Sequence, residues 1–231
     1  MAVGPYEGLK RMRTCIIILA VWSIFGYLTG HVLHLSLPSL LHLPSPGSGA
    51  QPSGVMSLIW LGFALGTVGA MISFVAYLYM FRGFMAMKGS DASYGIGETG
   101  MLLQMAGPVL LIIAVLLVLP SLSGGILLFS LSTGVIAAAA VGVIGAIASF
   151  IGAILAAVGL FRVGRSYGNV LVRMGAVLWF IVFVVALESS LANILGLLME
   201  LLLFVGFSRM MKQEGRSGQN PPMNLSPYSP A

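Results

Sequence analysis

Long apolar runs alternate with short basic or turn-forming stretches along the whole chain, and that alternation predicts six membrane-length helices. They fall at about residues 14–35, 55–81, 100–119, 138–161, 169–187 and 191–208, each near the roughly 20 apolar residues that span a bilayer core. Pro38, Pro44, Pro46 and Pro52 make residues 36–54 a loop, because proline lacks an N–H and clashes with the preceding turn of a helix. Pro120 ends the third run. Residues 121–161 are uncharged and long enough for two spans. Two spans there would make seven helices and put Arg162, Arg165 and Arg173 opposite every other cation. One span over 138–161 is therefore preferred, with 121–137 as an outer loop or half-buried helix.

Charge then orients the pattern. All 11 Lys and Arg, from Lys10 to Arg216, fall in the stretches on one side of the six-helix arrangement. Basic residues mark the cytoplasmic side, which predicts a multi-pass protein of the plasma membrane with both termini in the cytoplasm. Residues 1–13 form a short N-terminal segment, and residues 209–231, rich in Pro, Asn and Ser towards their end, form a flexible cytoplasmic tail. Composition agrees: 58% of residues are hydrophobic and 7% charged, against about 25% charged in soluble domains. The expected class is an all-α polytopic membrane bundle. The net charge of +5 comes from small clusters at helix ends, so nucleic acid is not an expected partner. The expected partners are the lipid bilayer and other membrane subunits or further copies of the chain. The lone Cys15 excludes an intramolecular disulfide.

Small residues suggest how the helices meet. Gly26 and Gly30 form a Gly-x-x-x-Gly pair, and Gly62, Gly66, Gly69 and Ser73 make a stripe on the second helix. The fourth helix, with Gly142, Gly145, Gly152 and Gly159, is dense enough in small residues to be expected mid-bundle. Two turns repeat. Phe81-Arg82 leads to Ser93-Tyr94-Gly95, and Phe161-Arg162 leads to Ser166-Tyr167-Gly168. Helices two and three, and four and five, therefore read as pseudo-repeated hairpins of one orientation. The six turn residues would form a cytoplasmic docking surface or gate; the preferred reading is structural, with Gly supplying turn geometry and Tyr anchoring at the interface.

The stretches GLKRMRTCIIIL, SDASYGIGETGMLL, GRSYGNVLVRMGAVL and LLLFVGFSRM resemble an archaeal family of multi-spanning membrane proteins catalogued as domain of unknown function 973. The resemblance covers most of residues 8–212. It implies an archaeal, thermophilic source and a multi-helix membrane fold, and it implies no activity, cofactor or catalytic residue.

Chemistry-bearing residues are few. Glu200 lies about ten residues into the sixth helix, roughly 15 Å from its outer end at 1.5 Å per residue. An acid at that depth must face the bundle interior, protonate or pair. Asn193 and Gly196 share its face, and Gln104 lies on the third helix. Glu200, Asn193 and Gln104 read either as a polar track for a proton or ion, or, preferentially, as interhelical hydrogen bonding with Glu200 bonded to a backbone carbonyl or to Gln104. His31, His34 and His42, with Glu188, lie on the outer side and would suit Zn or Cu; interfacial histidines are the preferred reading. No motif of nucleophilic, nucleotide or zinc-protease chemistry occurs, so no enzyme and no cofactor is expected. The function expected is a non-enzymatic scaffold or accessory subunit. The alternative is a small transporter or channel for protons, ions or a small solute using Glu200.

Overall fold

The computed structural model describes residues 4–40, 53–122, 133–185 and 189–217, with side-chain surroundings for residues 4–29, 60–118, 133–185 and 191–215. Six α-helices account for nearly all of them: α1 Pro5–Leu40, α2 Ser53–Lys88, α3 Gly95–Leu122, α4 Thr133–Ser166, α5 Val170–Val185 and α6 Ser189–Ser217. Five are long and apolar enough to cross a membrane, and α5 is equally apolar over 16 residues. The fold is a helical membrane bundle.

Several helices run past the predicted spans, chiefly at their basic ends. α1 begins at Pro5 and α6 continues to Ser217, so residues 5–13 and 209–217 are helical rather than segment and tail. α2 extends to Lys88 and α3 starts at Gly95, leaving a short connection with a single 3₁₀ turn at Ala92–Tyr94. The reason is packing. Leu9, Met12, Met87, Phe207 and Met210 are fully buried against one another's helices, so the basic ends support themselves without lipid. At the other end α1 runs through Pro38 to Leu40 and α3 runs through Pro120 to Leu122. Of the stretch 121–137, residues 123–132 lie outside the described residues.

Each helix packs against its neighbours in sequence, and α6 returns to α1. The six helices therefore close into an antiparallel ring. Large apolar side chains point outward from every one of them, among them Val21, Val68, Leu116, Ile144, Val177 and Ile194, as a lipid-facing surface requires. This corrects the expectation for α4. It is not central: Gly145, Gly152 and Gly159 bury one face, while Val143, Ile147 and Phe150 are exposed on the other.

Glycine sets the tightest seam, between α3 and α4. A Cβ added at Gly152 would lie 2.6 Å from the backbone nitrogen of Gln104 and 2.7 Å from the carbonyl of Gly100, and one at Gly159 would strike Gly97. Gly8 and Gly83 similarly bring α1 against α2. Gly26 has nothing within 4 Å, so it makes no close helix contact. On α2 the predicted stripe splits. Gly69 receives the Trp22 indole, whereas Gly62 and Gly66 have open space beside them.

The two repeated turns differ in conformation. Gly168 takes φ +62°, the left-handed geometry that ends many helices. Its N–H bonds the carbonyl of Arg165 at 3.1 Å. Gly95 instead has φ −58° and begins α3, so there the turn geometry is not glycine's contribution. Asp91 caps the 3₁₀ turn by accepting from the Ser93 N–H, and Asn169 caps α5 by accepting from the N–H groups of Leu171 and Val172. Side-chain acceptors at these positions satisfy donors that have no partner within the helix.

Candidate functional site: a two-lobed chamber inside the ring

Helices arranged as a ring must fill their centre with side chains or leave space. In the basic half the centre is filled. Phe84, Met80, Met101, Leu160, Leu203 and Phe207 have no exposed surface. Above them Tyr77 of α2 and Trp179 of α5 meet across the ring, their centroids 6.5 Å apart. Towards the opposite end the centre holds space, because the lining positions are small: Gly66, Ala70, Gly107, Gly142, Gly145 and Gly196.

The space has two lobes. One, of about 490 Å³, lies among α2, α3 and α4 and includes Ser73 and Ser149. The other, of about 370 Å³, lies among α1, α5 and α6 and includes Ser23, Asn193 and Glu200. Tyr77, Gln104 and Phe183 line both, so the lobes adjoin at these three side chains.

Glu200 is the chemical centre of the second lobe. The residue is 5% exposed. Ser23 donates to Oε1 at 2.7 Å, while Oε2 is buried with no hydrogen-bond partner among the described residues. Gln104, 3% exposed, likewise has a buried Oε1 without a partner. Among the described residues no Lys, Arg or His lines either lobe. The described residues of the second lobe thus offer acceptors in an apolar setting without a fixed positive charge.

The three residues of the predicted polar track, Glu200, Asn193 and Gln104, all lie on the wall of this lobe. The partner expected for Glu200 is different. It is Ser23, 177 residues away in the chain, and not Gln104 or a backbone carbonyl. Ser23 had a faint signal as a small hydroxyl residue in the middle of the first apolar run. The aromatic floor of Tyr77 and Trp179 had none, since aromatic residues in apolar runs are ordinary core.

The other candidates lie elsewhere. Ser93, Tyr94 and Gly95 sit at the basic end, with Tyr94 buried rather than interfacial. Arg162 donates to the carbonyl of Ser93 at 3.2 Å, so the two turns touch. Tyr167 donates to Glu214 Oε1 at 2.7 Å, tying the second turn to α6, and Ser166 bonds back to the carbonyl of Arg162. His31 and His34 are on the last turns of α1, but their side chains, His42 and Glu188 lie outside the described residues. Among the described residues no group of three or more potential ligands forms a metal centre.

A family model for proteins of unknown function, DUF973, matches residues 5–230. The chain belongs to that family. No curated protein and no solved structure matches it. The family carries no activity from which a role for Glu200 or Gln104 could be transferred, so the chemistry of the site rests on its geometry.

Proposed function

We propose that the protein is a non-enzymatic membrane transporter that carries a small cation or cationic solute through the ring, with Glu200 as the binding carboxylate. It sits in the plasma membrane with both termini and the basic turns in the cytoplasm, in keeping with the positive-inside bias of its 11 Lys and Arg. An archaeal source, implied by the family resemblance, belongs to the same reading. The observation that carries the proposal is the buried, half-partnered carboxyl of Glu200 on the wall of a chamber that all six helices line. Intramembrane acids that face a cavity mark ion and substrate pathways. A packed half below an open half is the arrangement expected of a carrier caught facing one side.

The decisive experiment is flux into proteoliposomes of protons, rubidium and methylammonium, comparing the parent with Glu200→Gln. Flux of any of the three that disappears in the variant supports transport. Absence of all three from both proteins, with the variant as stable as the parent, refutes it. The solid basic half and the glycine seam favour a second reading, a scaffold or accessory subunit assembled with other membrane proteins or with copies of itself. Under that reading the parent carries none of the three ions, and Glu200→Gln weakens only the contact with Ser23.

A further inference from the structure

We infer that the lobe among α1, α5 and α6 binds a protonated organic amine, its ammonium held by Glu200 and Gln104 and its apolar body held against the aromatic floor. The inference rests on the chamber being a ligand site and specifies the class of ligand.

The unmet hydrogen-bonding capacity of the lobe defines that class. Glu200 Oε2 and Gln104 Oε1 are buried acceptors without donors among the described residues. Both residues line this lobe. A buried polar atom in a native fold nearly always has a partner, so two orphans on one cavity wall point to a donor that arrives with the ligand. An ammonium has several N–H groups and can serve both. A carboxylate or phosphate ligand would bring only more acceptors and a second negative charge, with no Lys, Arg or His among the described residues of the wall to receive it.

The rest of the wall suits the body of such a molecule. Leu19, Trp179, Val182 and Phe183 are apolar, and two of them are aromatic. Aromatic faces attract cations through the ring quadrupole, tryptophan most strongly. A bare divalent cation fits poorly, since calcium takes roughly six to eight oxygen ligands and this wall is mostly hydrocarbon. The volume of about 370 Å³ falls at the small end of ligand pockets, which run from roughly 300 to 1,000 Å³. A compact amine is therefore favoured over a long one.

Isothermal titration of the full chain in detergent tests this with three probes that share one body: 1-adamantanamine, 1-adamantanecarboxylate and N,N,N-trimethyl-1-adamantylammonium. The amine is expected to bind, the carboxylate not to bind, and the trimethylammonium to bind more weakly, since it has the charge but no N–H. Glu200→Gln and Gln104→Leu should each weaken amine binding by about tenfold or more. Equal binding of the carboxylate, equal binding by Glu200→Gln, or no binding of the amine to the parent would overturn the proposal. If Glu200→Gln does not fold, Gln104→Leu decides, and unweakened binding there overturns it. Amine binding without flux would keep this ligand class and sink transport. Flux that depends on Glu200 without amine binding would do the reverse.

Discussion

Adding one methyl group at Gly152 should destabilise the bundle and disturb the chamber together. The new Cβ would lie 2.6 Å from the Gln104 nitrogen and 2.7 Å from the Gly100 carbonyl oxygen, whereas ordinary contact begins at 3.4 Å. Both obstacles are backbone atoms, so no rotamer change relieves them, and α3 and α4 must separate by about 0.8 Å, the difference between 3.4 and 2.6. Forcing excess volume into a packed interface costs about 1–3 kcal/mol. Alanine recovers up to about 1 kcal/mol of helix propensity. Because both obstacles are backbone, the upper part of the packing range applies, about 2–3 kcal/mol, and the net loss for Gly152→Ala is about 1–2 kcal/mol, or roughly 2–8 °C for a chain of this size. Gly142→Ala on the same helix is the internal control. Nothing lies within 4 Å of its added Cβ, so only the propensity gain remains and melting should rise by a few degrees at most. Thermal melts in detergent followed by circular dichroism would read both. A Gly152→Ala protein that melts at or above the parent, or a Gly142→Ala protein that falls as far, would refute the steric account of the seam. Gln104 Cγ is 3.0 Å from the same Cβ position, so Gly152→Ala should also impair whatever the chamber binds.

Ser23→Ala removes the donor to Glu200 Oε1 and should cost about 1–3 kcal/mol as a buried acceptor loses its partner; a double-mutant cycle with Glu200→Gln that proves additive would count against the pairing. Asn169 caps α5 and also donates to the carbonyl of Gly206 at 2.9 Å. Asn169→Ala should therefore lower stability by about 0.5–2 kcal/mol through the cap alone, whereas Asn169→Asp keeps the cap acceptor and should lose less in the same melt. Hydrogen bonds from Ser93 hold the exposed Asp91 carboxyl below the usual carboxylate range. A lowered folded pKa stabilises at pH values above the unfolded one and is lost as pH falls through the folded one. The gap in melting temperature between the parent and Asp91→Ala should thus be present at pH 7 and close in acid, and a gap that widens in acid would contradict it.

The apolar runs, with the cations held at one set of helix ends, determine that this chain is a helical membrane bundle, with six helices among the described residues, because removing backbone polar groups from water leaves helices as the economical solution. The depth of Glu200 and its shared face with Asn193 and Gly196 were legible for the same reason, being set by helical rise and period alone. The helix ends were not legible. Leu9, Met12 and Met210 look like interfacial residues until the neighbouring helices that bury them are known. Nor was the position of α4, since a run of glycines predicts close approach on one face without saying that Ile144 and Phe150 face outward on the other. Hydropathy cannot rank helix partners, because lipid is as apolar as leucine and the choice is left to steric fit and a few polar contacts. The closure of α6 onto α1, the bond from Ser23 to Glu200, and the meeting of Tyr77 with Trp179 across the ring join residues far apart in the chain. Only the tertiary structure decided them, and with them the chamber.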